Sequence, residues 1–295
     1  MKRFSFGFLL FVMFILMGFV GCKKSSNSNQ ITFAVTLSES GTLGQYLVDK
    51  DGYTLYMFAD DYKGRNTCTA DGTCAPQWPY FYAGPLTQTN LGNGLLLTDF
   101  DTIMVSGKPQ TRYKGWPLYY YAPSVSGVYG SSNVREQPGQ ISGDAFQNIW
   151  FVAKPDYTVM LANGQLVGGD GISYLGNYLP GAGLTEYLTD PQGNTLYTFS
   201  QDSANINKFT SDDFSNNTIW PIFSTTTGAT VVVPSILSPT MFTTTSVFGH
   251  TQLTFNGWPL YNYSGDNNLR GNTKGVSFVA AGQWRVPAPN MVVAP

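Results

Sequence analysis

Three aspartates, one cysteine pair and a single histidine are the residues of this 295-residue chain best placed to do chemistry. The aspartates close a repeated pattern: tyrosine, any residue, an aromatic, any two residues, aspartate. It stands intact at Tyr56-Met57-Phe58 with Asp61, at Tyr197-Thr198-Phe199 with Asp202, and at Tyr261-Asn262-Tyr263 with Asp266. A fourth version, Tyr119-Tyr120-Tyr121, has Ser124 in the aspartate position. Two chemistries are open to these acids. A carboxylate just past a strand can accept backbone N–H bonds in the following turn. With tyrosine hydroxyls and loop carbonyls it could instead ligate a hard cation such as calcium, which takes six to eight oxygens. The acidic stretches are only pairs, Asp60-Asp61 and Asp212-Asp213, so no metal-ligand set is assigned.

Cys68 and Cys74 flank Thr69-Ala70-Asp71-Gly72-Thr73. If Ala70-Asp71-Gly72 form a three-residue hairpin loop, Cys68 faces Cys74 at a distance a disulfide can bridge. In an exported chain such a pair reads as a structural disulfide. Two thiolates lack the remaining ligands of a closed metal site, and the Cys-x-x-Cys spacing of a redox dithiol is absent. His250 is the sole histidine, and no Gly-x-Ser-x-Gly run marks a nucleophile. Met57, Met104, Met160, Met241 and Met291 are scattered, which does not suit a haem or copper site. No catalytic residue and no cofactor is expected.

The N-terminus addresses location. Lys2 and Arg3 precede an apolar run from Phe4 to Val20, which ends at Gly21-Cys22 before a polar stretch. This is the layout of a secretory signal, and a cysteine after Val-Gly resembles a bacterial lipobox. Cys22 is then the lipidated first residue of the mature chain, and several acyl chains make the anchor durable. Lys23 stands where an inner-membrane retention aspartate would, which favours the outer membrane. The expected organisation is a signal peptide over 1–21, a flexible tether over 22–30 and a folded body beyond. The expected location is the bacterial cell envelope, on its periplasmic or surface face. Charged residues are 12% of the chain and the net charge is −2. Without a basic stripe, no nucleic-acid partner is expected.

The elements that must position these residues are strands. Aromatics make up 15% of the chain, with Gly, Asn, Asp, Ser and Thr between them, which suits β structure. Asp51-Gly52 joins Gln45–Asp49 to Tyr53–Phe58 as a hairpin. The second of these strands sets Leu55 and Met57 on one face and Tyr56 and Phe58 on the other. A second hairpin turns at Lys114-Gly115, with Pro117 at a strand start or edge. Residues 80–110 read as loop-rich. The pattern then recurs. Trp78-Pro79 and Trp116-Pro117 are answered by Trp220-Pro221 and Trp258-Pro259, each 142 positions on, and Trp150 by Trp284, 134 on. Thr210 and Asn216 replace the cysteines in the second copy. The expected fold is all-β, a tandem duplication of a small antiparallel repeat built from hairpins, with two half-repeats per copy. The copies span about 31–155 and 156–295, with the six tryptophans in their cores.

The motif strands, Cys68 and Cys74 before Trp78-Pro79, and Gly115-Trp116-Pro117-Leu118-Tyr119-Tyr120-Tyr121 resemble a secreted repeat family of unknown function. Its members are predicted bacterial lipoproteins with a Tyr-x-[Phe/Trp/Tyr]-x-x-Asp motif. Gln283-Trp284-Arg285-Val286-Pro287 resembles its closing segment. The likeness spans nearly all of 45–290, in both copies, and implies an envelope protein, with no activity attached. A structural or binding module follows. A redox- or metal-associated envelope protein is the alternative. A glycan-binding surface module is a further one, because tyrosine rings can stack on sugars and adjacent strand residues cannot all point inward. An envelope protein or glycan is the expected partner beside the membrane.

Overall fold

The computed structural model describes Met1 and residues 32–68, 74–123, 134–226 and 228–295. The expected signal peptide beyond Met1, Cys22, the expected tether, Ser124 and the loop inside the cysteine pair lie outside the described residues. Thr32–Pro295 makes one compact unit. Among its described residues there is no α-helix, only strands and single 3-10 turns.

The first stretch carries β1 (Val35–Ser40), β2 (Gly44–Asp49), β3 (Tyr56–Phe58), β4 (Phe100–Val105), β5 (Lys108–Tyr113), β6 (Trp116–Pro117) and β7 (Trp150–Val152). The second carries β8 (Met160–Val167), β9 (Ser173–Tyr174), β10 (Leu184–Thr189), β11 (Thr198–Phe199), β12 (Phe242–Val247), β13 (His250–Phe255), β14 (Trp258–Pro259) and β15 (Trp284–Arg285). All strand pairs are antiparallel, and their pairing matches between the stretches. β1 pairs β2 as β8 pairs β10. β3 pairs β7 with Phe58 opposite Trp150, and β11 pairs β15 with Phe199 opposite Trp284. The sheets β4-β5-β6 and β12-β13-β14 share a register, Phe100 opposite Tyr113 and Phe242 opposite Phe255. The second stretch adds an excursion, residues 168–183, that carries β9.

Local chemistry explains these elements. The Asp49 carboxylate accepts the N–H groups of Asp51 and Tyr53, both at 2.9 Å, and closes the Asp51-Gly52 turn. Asp190 does the same for Gln192 and Asn194. Lys114-Gly115 and Asn256-Gly257 both have positive φ at each residue, +48° and +77°, and +48° and +81°. This is the turn whose twist matches a two-residue hairpin. Pro117 lies in the edge strand β6, where its missing donor costs no ladder bond. The alternation of β3 divides its side chains between two clusters. Leu55 and Met57 enter the larger apolar core, while Tyr56 and Phe58 enter a second cluster with Trp78, Tyr119, Tyr121 and Trp150.

Residues 80–110 are not all loop. Phe100–Val105 and Lys108–Tyr113 form a hairpin as long as that of β1 and β2. Its apolar side chains do not alternate cleanly: Ile103 and Met104 are adjacent, and Pro109 sits within β5. Only Phe100 and Val105 of β4 are buried. The pairing is set instead by the Ser106-Gly107 turn, with φ of +48° and +79°.

Candidate functional site

The four motifs converge in pairs. Within each pair the two motif tyrosines lie opposite each other and exchange both backbone hydrogen bonds. Tyr56 and Tyr119 do so at 2.9 and 3.0 Å, Tyr197 and Tyr261 at 2.9 Å each way. Their side chains then cross. Tyr197 donates its hydroxyl to Asp266 Oδ2 at 2.6 Å, and Tyr261 donates to Asp202 Oδ2 at 2.8 Å. Each motif therefore supplies the donor for its partner's acid.

In the first stretch Tyr119 donates to Asp61 Oδ2 at 2.5 Å. Tyr56, whose acceptor would come from the fourth motif, donates instead to Glu136 Oε1. Glu136 lies 12 residues beyond Ser124, off the motif spacing, and no signal in the sequence singles it out. It is 6% exposed and does what Asp266 does in the other pair.

The second carboxyl oxygen is also occupied. Asp61 Oδ1 accepts the Thr67 N–H and hydroxyl, both at 2.7 Å. Asp202, Asp266 and Glu136 accept the N–H groups of Lys208, Lys274 and Ser142, each at 2.8 Å. The residues after Ser142 and Lys274 are Gly143 and Gly275, whose N–H groups reach the Tyr56 and Tyr197 hydroxyls at 3.3 Å. A Cβ at Gly275 would lie 2.7 Å from Trp220 and Tyr197, so only glycine brings this backbone so close. Turn N–H bonds to the motif acids are one of the two chemistries open from sequence. The crossed tyrosine is an addition, and its partner lies 58 to 80 residues away.

The third motif position has its own task. In the first stretch the rings stack in the order Phe58, Trp150, Trp78, Tyr121. Centroid separations are 4.0, 3.7 and 4.6 Å. In the second the order is Phe199, Trp284, Trp220, Tyr263, at 4.7, 3.5 and 4.3 Å. The two motif aromatics close the ends of a tryptophan pair. The motif tyrosines meet the same indoles edge-on, Tyr119 on Trp150 at 5.1 Å and Tyr261 on Trp284 at 5.2 Å. Trp116 and Trp258 sit apart, with their indole N–H groups on the carbonyls of Pro191 (3.0 Å) and Val292 (2.8 Å). Arg270 crosses from the second stretch to lie 4.4 Å over the Trp116 ring.

Burial governs the electrostatics. It pushes the carboxyls of Asp61 and Asp266 up to about 7 and that of Asp202 to about 6, outweighing the hydrogen bonds that favour the anions. Glu136 moves up for the same reason. The tyrosines are raised too, first by burial and then by the adjacent carboxylate. They act as neutral donors throughout the physiological range.

The remaining candidates lie elsewhere. Cys68 and Cys74 form a disulfide with Cα atoms 5.1 Å apart. His250 is exposed at the start of β13 against the Phe214 ring, 4.5 Å away. Among the described residues no three His, Cys, Asp or Glu side chains converge on one point. Also among the described residues, no helix is long and apolar enough to cross a membrane.

No curated protein and no solved structure matches the chain. Residues 39–81, from β1 through the first motif and the disulfide to Phe81, match the sequence model of a secreted repeat of unknown function, and that likeness implies an extracellular or envelope location.

Proposed function

We propose that this chain is a lipid-anchored module of the bacterial cell envelope, held at the outer membrane by Cys22, whose folded body is a non-catalytic structural or binding repeat. One observation carries the reading of the body. Every intact motif spends its tyrosine, its aromatic and its aspartate on internal contacts, and both oxygens of each acid are engaged. A residue saturated in this way specifies a fold; a general acid or nucleophile needs a free position facing substrate. The matched pairing of the two stretches supports descent by tandem duplication, with copies over 31–155 and 156–295. The anchor is tested by growing cells with labelled palmitate. The wild type should take up label and fractionate with membranes, and Cys22→Ser should do neither. Equal labelling of both forms would overturn the anchor.

A glycan-binding role has one specific support. Tyr120, between two core-facing tyrosines, turns the other way and is half-buried, 6.2 Å from Tyr53. Arg135 lies 4.6 Å over its ring. Binding on a glycan array that disappears in Tyr120→Ala would establish it. A redox role has less behind it, since Cys68 is 2% exposed and accessible bridges are the labile ones.

A further inference from the structure

Between the two stretches lies a cavity of about 640 Å³, with an apolar wall of Leu43, Val231, Val233 and Leu237. Lys154 and Asp156, on the segment joining β7 to β8, complete it. The valine wall is held by paired bonds between Thr158 and Val232, at 2.8 and 3.0 Å. The acid and the lysine differ in setting. Asp156 is exposed at the rim, whereas Lys154 is 6% exposed. Among the described residues the Lys154 ammonium donates to no acceptor and joins no ion pair; its contact is the Tyr157 ring, 5.5 Å away. The stem of the side chain is buried, but its nitrogen is not sealed from solvent, so its three donors are open to water or an anion at the cavity. The setting is particular to this junction. A similar cavity in the second stretch is lined by Leu184, Thr185, Ala288 and Asn290, where Ala288 and Asn290 stand in the places of Lys154 and Asp156. Burial also lowers the Lys154 ammonium from its ordinary range, an effect that the carboxylates of Asp144 and Asp156 oppose without cancelling.

We propose that this cavity binds an anionic amphiphile, its carboxylate or phosphate head paired with Lys154 and its apolar chain lying along Val231, Val233 and Leu237. The volume falls within the range of small-molecule sites, which join apolar walls to a few placed polar groups. The inference deepens the binding-module reading and rests on it. It is independent of the anchor, because a failed palmitate test leaves amphiphile binding untouched.

The test uses residues 32–295, the compact unit with its own core. Three probes are titrated: cis-parinaric acid by its fluorescence, and dodecyl phosphate and dodecanol by calorimetry. Saturable binding of one acid-headed probe per chain, tighter than dodecanol, is expected. Preference for parinarate assigns a fatty acid, and preference for dodecyl phosphate assigns a lipid phosphate. Lys154→Met should weaken the preferred acid about tenfold and leave dodecanol unchanged, as loss of one charge-assisted contact implies. Leu43→Trp, at the cavity wall, should weaken both. No saturable binding by the wild type, dodecanol bound as tightly as the acids, or undiminished acid binding by Lys154→Met would overturn the proposal.

Discussion

Tyr119→Phe removes one oxygen and little else. The ring keeps its edge-on seat against Trp150, and the lost atom is the donor to Asp61 Oδ2 at 2.5 Å. Both side chains are 0% exposed, so water cannot replace the donor. The cost depends on the charge of Asp61. Above pH 8 the carboxyl, whose pKa is about 7, is ionised. Loss of a hydrogen bond to a buried charge then costs about 3 kcal/mol. At pH 5 the folded carboxyl is protonated, and loss of a neutral hydrogen bond costs about 1 kcal/mol. The tyrosine bond pulls the Asp61 pKa down, so its removal raises a folded-state value that already exceeds the unfolded one. The variant must take up its proton at higher pH, and its deficit therefore grows as pH rises through 7. Urea unfolding of residues 32–295 at pH 5 and 8.5, followed by tryptophan fluorescence, measures both numbers. In an Asp61→Asn background, which cannot ionise, the effect of Tyr119→Phe should be the same at both pH values. An equal loss at the two pH values in the native background, or a loss below about 0.5 kcal/mol at pH 8.5, would refute the crossed pair as a stabilising device.

Asp61, Asp202 and Asp266 are all raised from 3.8 in the folded state, so the folded chain binds more protons than the unfolded one between about pH 4 and 7. Their contribution is present at the acid end of that window and is lost as pH rises through 6 to 7, by up to about 1.4 kcal/mol per unit for each acid. Replacing all three by Asn should flatten the pH dependence of the urea midpoint over that window, and an unchanged slope would count against burial as the dominant cause. Replacing Cys68 and Cys74 by Ser opens a loop with a sequence separation of 6 and should cost about 2 kcal/mol by the chain-entropy relation, read from the same melts. Arg270→Met keeps the length of the side chain but loses the indole contact and the bonds to the Tyr62 and Lys114 carbonyls, at 3.0 and 3.3 Å. It should cost about 2–3 kcal/mol, and limited proteolysis should cut first between the two stretches, near 154–158.

What was legible in the chain follows from rules of short range. The alternation through Leu55, Tyr56, Met57 and Phe58 divides two clusters because strand neighbours face opposite ways. Asp51-Gly52, Lys114-Gly115 and Asn256-Gly257 mark turns because few residues accept a positive φ. Cys68 and Cys74 lie near enough in sequence for the disulfide to be read from their spacing together with the expected export of the chain. The hairpin at Phe100–Tyr113 was not legible, because the only two buried β4 residues stand at its opposite ends and on opposite faces, which leaves no alternating signal.

The sequence by itself determined that the motifs recur, that strands carry them and that the tryptophans share the spacing of the repeat. Only the tertiary structure decided what the motif is for. Its tyrosine finds the acid of a different motif, its aromatic closes a tryptophan stack assembled from the interior and the end of the stretch, and Glu136 serves where the fourth aspartate is missing. The physical reason is range. A turn is a negotiation among four neighbouring residues. A buried hydroxyl needs any carboxylate that the fold delivers to within about 3 Å, and nothing in linear spacing records which one that will be.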